Sequence, residues 1–460
     1  MMNKDKYIAK LNTIKASERF KQKTAVLLKT SLDGENRTGV KKRNKKITFV
    51  LAPALAVVLI CALLFSNMFG PTVQASENLM DGVTARKLNI DSTIDANFIK
   101  PTSDFSIDLF KKTVTKDTNS LVSPVSVYLA LGMTANGAGS NTLKQFENVL
   151  GGGLGINELN QNYYAMSNKL KSIKDGKLQI ANSIWYRNQN LTVEKHFLQK
   201  NADYFGAGAF QLDFSKKDTA DKINLWVKEN TGGKIDKMVE QIDSSTMMYL
   251  INTLYFEADW QSAYQNSEAG DFHAPEGTVS ASFMHSAEKY IHDDKADGML
   301  KSFKDDRYAF AAILPKTGTN LDDYIGQMSG DSFLKLLNSA GDERAECSLP
   351  KFKYEYSIGL NDPLKELGLT DAFDGSLADF SQMGSSADGK LFVQDVLHKT
   401  FIAVDETGAK AGAATEVMMG TKSAMPVEKQ IVFDRPFVYA IIDTQTKLPI
   451  FIGTVNNPSK

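Results

Sequence analysis

Residues 405–423 read DETGAKAGAATEVMMGTKS, and this stretch carries two signals at once. Every second residue from Ala409 gives Ala409, Ala411, Ala413, Thr415, Val417 and Met419, all small or apolar. The alternate set from Lys410 is more polar and holds two glycines. Strict alternation is the pattern of a half-buried β-strand. The Gly, Ala, Thr, Lys and Glu content is that of an exposed loop. A segment with both properties reads as a loop able to become a strand. Its inward side chains are small enough to slip between neighbours, Gly408 frees the backbone at its base, and no proline interrupts it.

Outward from this stretch, the C-terminal side (KQIVFDRPFVYAIIDTQTKLPIFIGTV) and the N-terminal side (KLFVQDVLHKTFIAVDE) both read as strands. Further upstream, MMYLINTLYFEADW has the continuous apolar character of a strand buried on both faces. LQIANSIWYR alternates, and YAFAAILPK adds another strand. Residues 123–150 predict an apolar helix opened by Ser-Pro, then a second helix capped by Ser140 or Asn141. A further helix ends at Gly232-Gly233. Helices gather early and strands late, which predicts an α+β domain dominated by large sheets.

The chain has 460 residues and a formal net charge of −1, but the charge is unevenly spread. Residues 1–46 hold fourteen Lys/Arg and four Asp/Glu, whereas the remainder holds 39 basic and 50 acidic residues, which disfavours nucleic acid as a partner. Residues 47–69 are uncharged and long enough to cross a bilayer, for which about 20 apolar residues are needed. KKRNKK immediately precedes them, so the tail is expected in the cytoplasm and residues 70 onward outside. The length of both the basic region and the apolar run favours an uncleaved signal anchor; a signal peptide cut after Ala75 is the alternative. The expected organisation is therefore a basic tail (1–46), a membrane span (47–69), a connector (70–95) and one domain (96–460). Cys61 falls in the span, leaving Cys347 without a partner for an intramolecular disulfide.

Signals for catalysis are weak. No GxSxG, HExxH or GxxxxGK[ST] motif occurs, and the five histidines show no metal-ligand spacing. The run from His292 to Gly298 has Lys295 at a ligand position of a calcium loop and reads as a solvated turn. Neither a cofactor nor a metal is expected.

Four separated motifs then converge on one family. NSLVSPVSVYLALGMTANGAGSNTLKQFENVLG, NTLYFEADW, HKTFIAVDETGAKAGAAT and DRPFVYAIIDTQTKLPIFIGTVNNP resemble, in order, the early helices, central-sheet signature, hinge and C-terminal strands of the serpins, a family of protease inhibitors. The resemblance covers roughly 360 residues and implies an α+β fold of three β-sheets, about eight or nine helices and an exposed reactive loop. In this chain a single transmembrane helix would precede it.

The resemblance implies a monomeric suicide inhibitor, not an enzyme. A target serine protease cuts the loop, becomes acylated, and is trapped as the loop inserts into the main sheet. Glu406, Gly408, Ala409, Ala411, Ala413, Ala414 and Thr415 match the hinge. Lys410 departs from the acid usual there, and being expected to face solvent it should do little harm. Counting from Glu406 places the scissile bond at Lys422-Ser423, which suits a trypsin-like protease. Cleavage near Met418 or Met419 is the alternative, and counting back from Pro436 gives Met425-Pro426, a bond poorly cleaved before proline. Ser123, Ser126, Asn252 and His398 match a polar cluster beneath the point where the sheet opens, and Trp260 a tryptophan at its top. In isolation these five read simply as core. The rival functions are a non-inhibitory serpin acting as an extracytoplasmic binding or chaperone-like module, and a sensor whose basic tail has a cytoplasmic partner. Lys144 is the only basic residue between Asn141 and Gly151, so no polyanion cofactor is implied.

Overall fold

A computed structural model of the chain describes residues 78–90, 94–171, 176–243, 246–409 and 429–460. The basic tail, the expected span at 47–69 and most of the expected reactive loop lie outside the described residues. Among the described residues, no helix is long and apolar enough to cross a membrane. They contain nine α-helices and three β-sheets, of nine, six and two strands.

The six-stranded main sheet is built from β1 (Gly176–Arg187), β2 (Gly208–Leu212), β3 (Met248–Asp259), β4 (Phe352–Gly359), β5 (Asp395–Val404) and β6 (Gly408–Ala409), in the order β4-β5-β6-β3-β1-β2. As the apolar run at Met248 predicts, β3 is buried on both faces for most of its length. β1 alternates only in its first half, and Asn182 to Tyr186 are all buried. The reason is a second core: the helix Thr219–Asn230 packs Ile223 and Val227, with Trp226, against Trp185, Phe210 and Tyr249 on the far side of the sheet. That helix stops at Thr231, ahead of Gly232 and Gly233, whose φ values of 58° and 78° only glycine adopts freely.

Under the opposite face run α1 (Ala96–Thr113) and α2 (Pro124–Ala135). All twelve residues of α2 are buried, consistent with a helix that is apolar on every side. Ser123 caps it by accepting from the Ser126 N–H, with Pro124 at the first helical position. The next helix, α3 (Ser140–Gly151), has Gly139 at its cap with no side-chain bond. The expected cap at Ser140 or Asn141 is thus corrected: Asn141 instead donates to Asp371 Oδ2 at 2.6 Å. The nine-stranded sheet closes the core with Phe437–Asp443 and Pro449–Val455, every residue of both buried.

Residues 78–90, read from sequence as part of a connector, are packed onto this body. Asn78 bridges Phe210 on the outer edge of β2, and the Leu79 N–H donates to Ala209 O at 2.8 Å. The Arg86 guanidinium donates to Asp203 Oδ2 from Nε and Nη2 at 2.8 and 2.5 Å, and its backbone N–H donates to Oδ1. The Asp203 side chain is fully shielded from solvent, so truncating Arg86 removes its counter-charge and both donors to Oδ2, leaving only the Arg86 backbone N–H and Gln199 Nε2 on Oδ1. We expect Arg86→Ala to lower the melting temperature and to make residues 84–90 susceptible to limited proteolysis. Unchanged melting and digestion would show that the clamp contributes nothing.

Candidate functional site

β3 and β5 run parallel and pair from Asp395↔Tyr249 to Lys399↔Thr253. Above those residues the direct pairing ends. At the head of the sheet β6 lies between the two strands, antiparallel to both: Ala409 faces Val404 on one side and Ala258 on the other, and Gly408 faces Asp259. Val404 and Ala258 stand in the same relative register as Asp395 and Tyr249 lower down, so β6 enters without shifting either strand.

Gly408 is needed for close approach: a Cβ there would collide with the Ala258 carbonyl oxygen. Its φ is not left-handed, so the physical requirement differs from the backbone freedom expected of it. Ala409 is 1% exposed and shares the inner face with Val404, Ile402, Thr400 and His398, the buried members of an alternating β5.

The turn joining β5 to β6 is held from two directions. Asp405 Oδ1 accepts from Thr407 N and Oγ1 at 2.8 and 2.6 Å and from Gly408 N at 3.2 Å, while Asp405 N donates to Gly408 O. From outside, three consecutive carbonyls of the turn are gripped: Trp260 Nε1 donates to Asp405 O, Tyr264 N to Glu406 O and Trp260 N to Thr407 O, at 2.8–2.9 Å. The Glu406 side chain pairs with Lys351 and accepts from Ser267 Oγ at 3.0 Å. Partial burial pushes the Glu406 carboxyl up, but Lys351, its own backbone and Ser267 outweigh this and hold it below the usual range.

Where the paired part of β3 and β5 ends, a buried polar cluster joins both strands to α2. His398 Nδ1 lies 2.8 Å from Asn252 Oδ1, and Ser123 N donates to His398 Nε2 at 3.0 Å. Because Nε2 accepts, the imidazole is neutral and carries its proton on Nδ1. Ser126 Oγ donates to Asn252 Oδ1 at 2.7 Å, and Asn252 Nδ2 donates to Ser126 O and to Asn182 Oδ1, each at 2.6 Å. The expected residues Ser123, Ser126, Asn252 and His398 are therefore one network, and all are at most 1% exposed. Trp260, Glu406, Gly408 and Ala409 form the second group at the head of the sheet. Ala411, Ala413, Ala414, Thr415, Lys422 and Ser423 lie outside the described residues.

The sequence reading did not single out Asn182, Tyr264, Lys351 or Ser267. Asn182 had a signal: it is a polar residue on the inward phase of β1, between Ile180 and Ile184. The others had none, because their roles arise from strands distant in the chain.

With this geometry established, comparisons with known proteins agree on its class. A model of the serpin family (serine protease inhibitor) matches residues 100–458, and the chain belongs to that family. A serpin-like protein of Thermococcus kodakarensis is 30% identical, covering 77% of this chain and 84% of its own. Human alpha-1-antichymotrypsin is 28% identical over 89% of this chain and 99% of its own. The native crystal structure of the thermophilic serpin tengpin is 44% identical, covers 83% of this chain and 99% of its own, and superposes with a TM-score of 0.79. The latent state of tengpin, at the same identity and covering 79% of this chain, gives 0.70.

Burial lowers the His398 pKa from its ordinary 6.5 to about 3. On acidification the unfolded chain therefore takes up this proton first, and stability is lost as pH falls from 6.5 towards 3, by roughly 1.4 kcal/mol per unit. Denaturant unfolding near neutral pH and near pH 5 should show the loss, with a shallower dependence in His398→Gln. An equal slope in that variant would remove His398 as its source.

Proposed function

We propose that this chain is a conformational-trapping inhibitor of serine proteases, trypsin-like in preference, whose loop is cut at Lys422-Ser423 and then inserts into the main sheet. The observation that carries the reading is β6, a two-residue strand already antiparallel to both β3 and β5. Extending β6 in the same register would set position 414 between Lys399 and Thr253, and position 418 between Asp395 and Tyr249. Those residues already face each other as neighbours, so insertion need only part five register pairs and replace them with two ladders.

The inward positions of such a strand would be 411, 413 and 415, opposite buried Ile402, Thr400 and His398 on β5. Alanine and threonine there suit a gap that must open and refill without steric obstruction. About ten inserted residues would form new backbone hydrogen bonds at a net ~0.5–1.5 kcal/mol each, and the alternate side chains would be buried. That total rivals the whole stability of many domains, about 5–15 kcal/mol, and is enough to make trapping effectively irreversible. Sheet opening must also rearrange the Asn252–His398 network, which ties β3 to β5.

We further propose that residues 47–69 anchor the chain in the cytoplasmic membrane with the inhibitor domain outside. The support is the uncharged length of that run and the KKRNKK before it.

Incubation with trypsin should yield an SDS-stable complex and, on denaturation, a separate C-terminal peptide beginning at Ser423, identified by mass spectrometry. Clean cleavage without a complex would reject inhibition of that enzyme. Ala411→Pro removes a ladder donor at an inward position. It should convert the inhibitor into a substrate cleaved without complex formation; retained inhibition would refute insertion.

A further inference from the structure

Behind the head of the main sheet lies a charged pair that the account above does not use. Lys301, on the strand Ala296–Ser302, donates from Nζ to Glu288 Oε1 on the strand Gly277–His292 at 2.6 Å. The Lys301 and Glu288 side chains are only 3% and 11% exposed. Ser286 Oγ donates to the same carboxylate oxygen at 2.8 Å, and Cys347 lies close by. Burial pushes the Cys347 thiol up to about 12, so it adds no charge. Two buried charges are costly to desolvate, and an apolar pair of similar size often serves stability as well. Their position suggests what the charge is for.

Lys301 Nζ sits 4.0 Å from the centroid of the Tyr264 ring and 5.6 Å from that of Trp260. These rings meet edge to face at 6.2 Å, and Trp260 stacks on Phe303 at 4.5 Å. Trp260 and Tyr264 supply all three N–H groups that grip the carbonyls of Asp405, Glu406 and Thr407. One ammonium thus touches both parts of the platform that holds the β5–β6 turn, and Glu288 aims it.

We propose that the Lys301–Glu288 pair is a positioning element for loop insertion: the buried cation pins the Trp260–Tyr264 platform, and the platform keeps the turn at 405–408 docked as the fixed end from which β6 extends. Because β6 is already in register, a docked turn needs only to zip downward, whereas a loosened turn must first be recaptured. The pair therefore biases the race between insertion and release of the cut loop towards trapping. This rests on the insertion reading above.

The test compares wild type with Lys301→Met/Glu288→Met, which removes both charges and keeps apolar bulk, and with Glu288→Gln, which keeps the cation and an acceptor. Tyr264→Leu removes one ring and leaves both charges, and serves if the double variant does not fold. Two readouts are taken: hydrogen exchange at the amides of Trp260 and Tyr264, and the ratio of cleaved to trapped inhibitor with trypsin. The double variant and Tyr264→Leu should each raise exchange at those amides, and the cleaved-to-trapped ratio, by about tenfold, within the range of a desolvated cation–π contact. Glu288→Gln leaves Lys301 an acceptor but no counter-charge, and should fall between wild type and the double variant in both readouts. A folded double variant with wild-type exchange and a wild-type ratio overturns the proposal, since the pair would then be core filling alone. If wild type forms no complex with trypsin, the inhibitor reading fails for that enzyme, and exchange alone decides whether Lys301 pins the platform.

Discussion

The main sheet is held together along its centre by only part of its available backbone pairing. β3 and β5 join over Asp395–Lys399 and Tyr249–Thr253, and above that level direct pairing gives way to a two-residue wedge. Backbone donors and acceptors of a buried strand need partners. Above Lys399 and Thr253 those partners come from outside the β3–β5 pair, and at the head of the sheet β6 supplies them. The junction is held at both ends.

Two devices flank it, and they work on different chemistry. Below the wedge, the Asn252 amide and the His398 ring close a buried network across β1, β3, β5 and α2, in which neutral imidazole acts as both donor and acceptor. Such a network has few alternative arrangements, so it resists gradual separation of the strands. Above the wedge, aromatic stacking and backbone hydrogen bonds fix the turn that feeds it. On the proposed insertion, the lower device would oppose opening and the upper one would set the end from which the gap is filled. Over Asp395–Lys399 and Tyr249–Thr253 the strands β5 and β3 pair directly, so the lower part of the sheet is closed.

Elements whose partners lie nearby in sequence were legible from sequence alone. The strand at β5, the two-faced burial of β3 and the glycine stop after Asn230 all follow from local pattern and composition. The sharing of one network by Ser123, Ser126, Asn252 and His398 was legible only through family resemblance, since as isolated residues they are ordinary polar core positions. Asn182 was within reach of pattern reasoning and was passed over. The cap of α3 was misplaced because Asn141 finds a partner in Asp371, more than two hundred residues away.

What the chain's order of residues determined by itself was a proline-free stretch of small alternating side chains, placed between strands, with the pattern of a loop able to become a strand. What only the tertiary structure decided was where the base of that stretch is held. The common register of β3, β5 and β6, the grip of Trp260 and Tyr264 on three successive carbonyls, and the burial of Lys301 beneath them join segments separated by tens to more than a hundred residues. Contacts of that kind are selected by the packing of whole sheets, and no local periodicity encodes them.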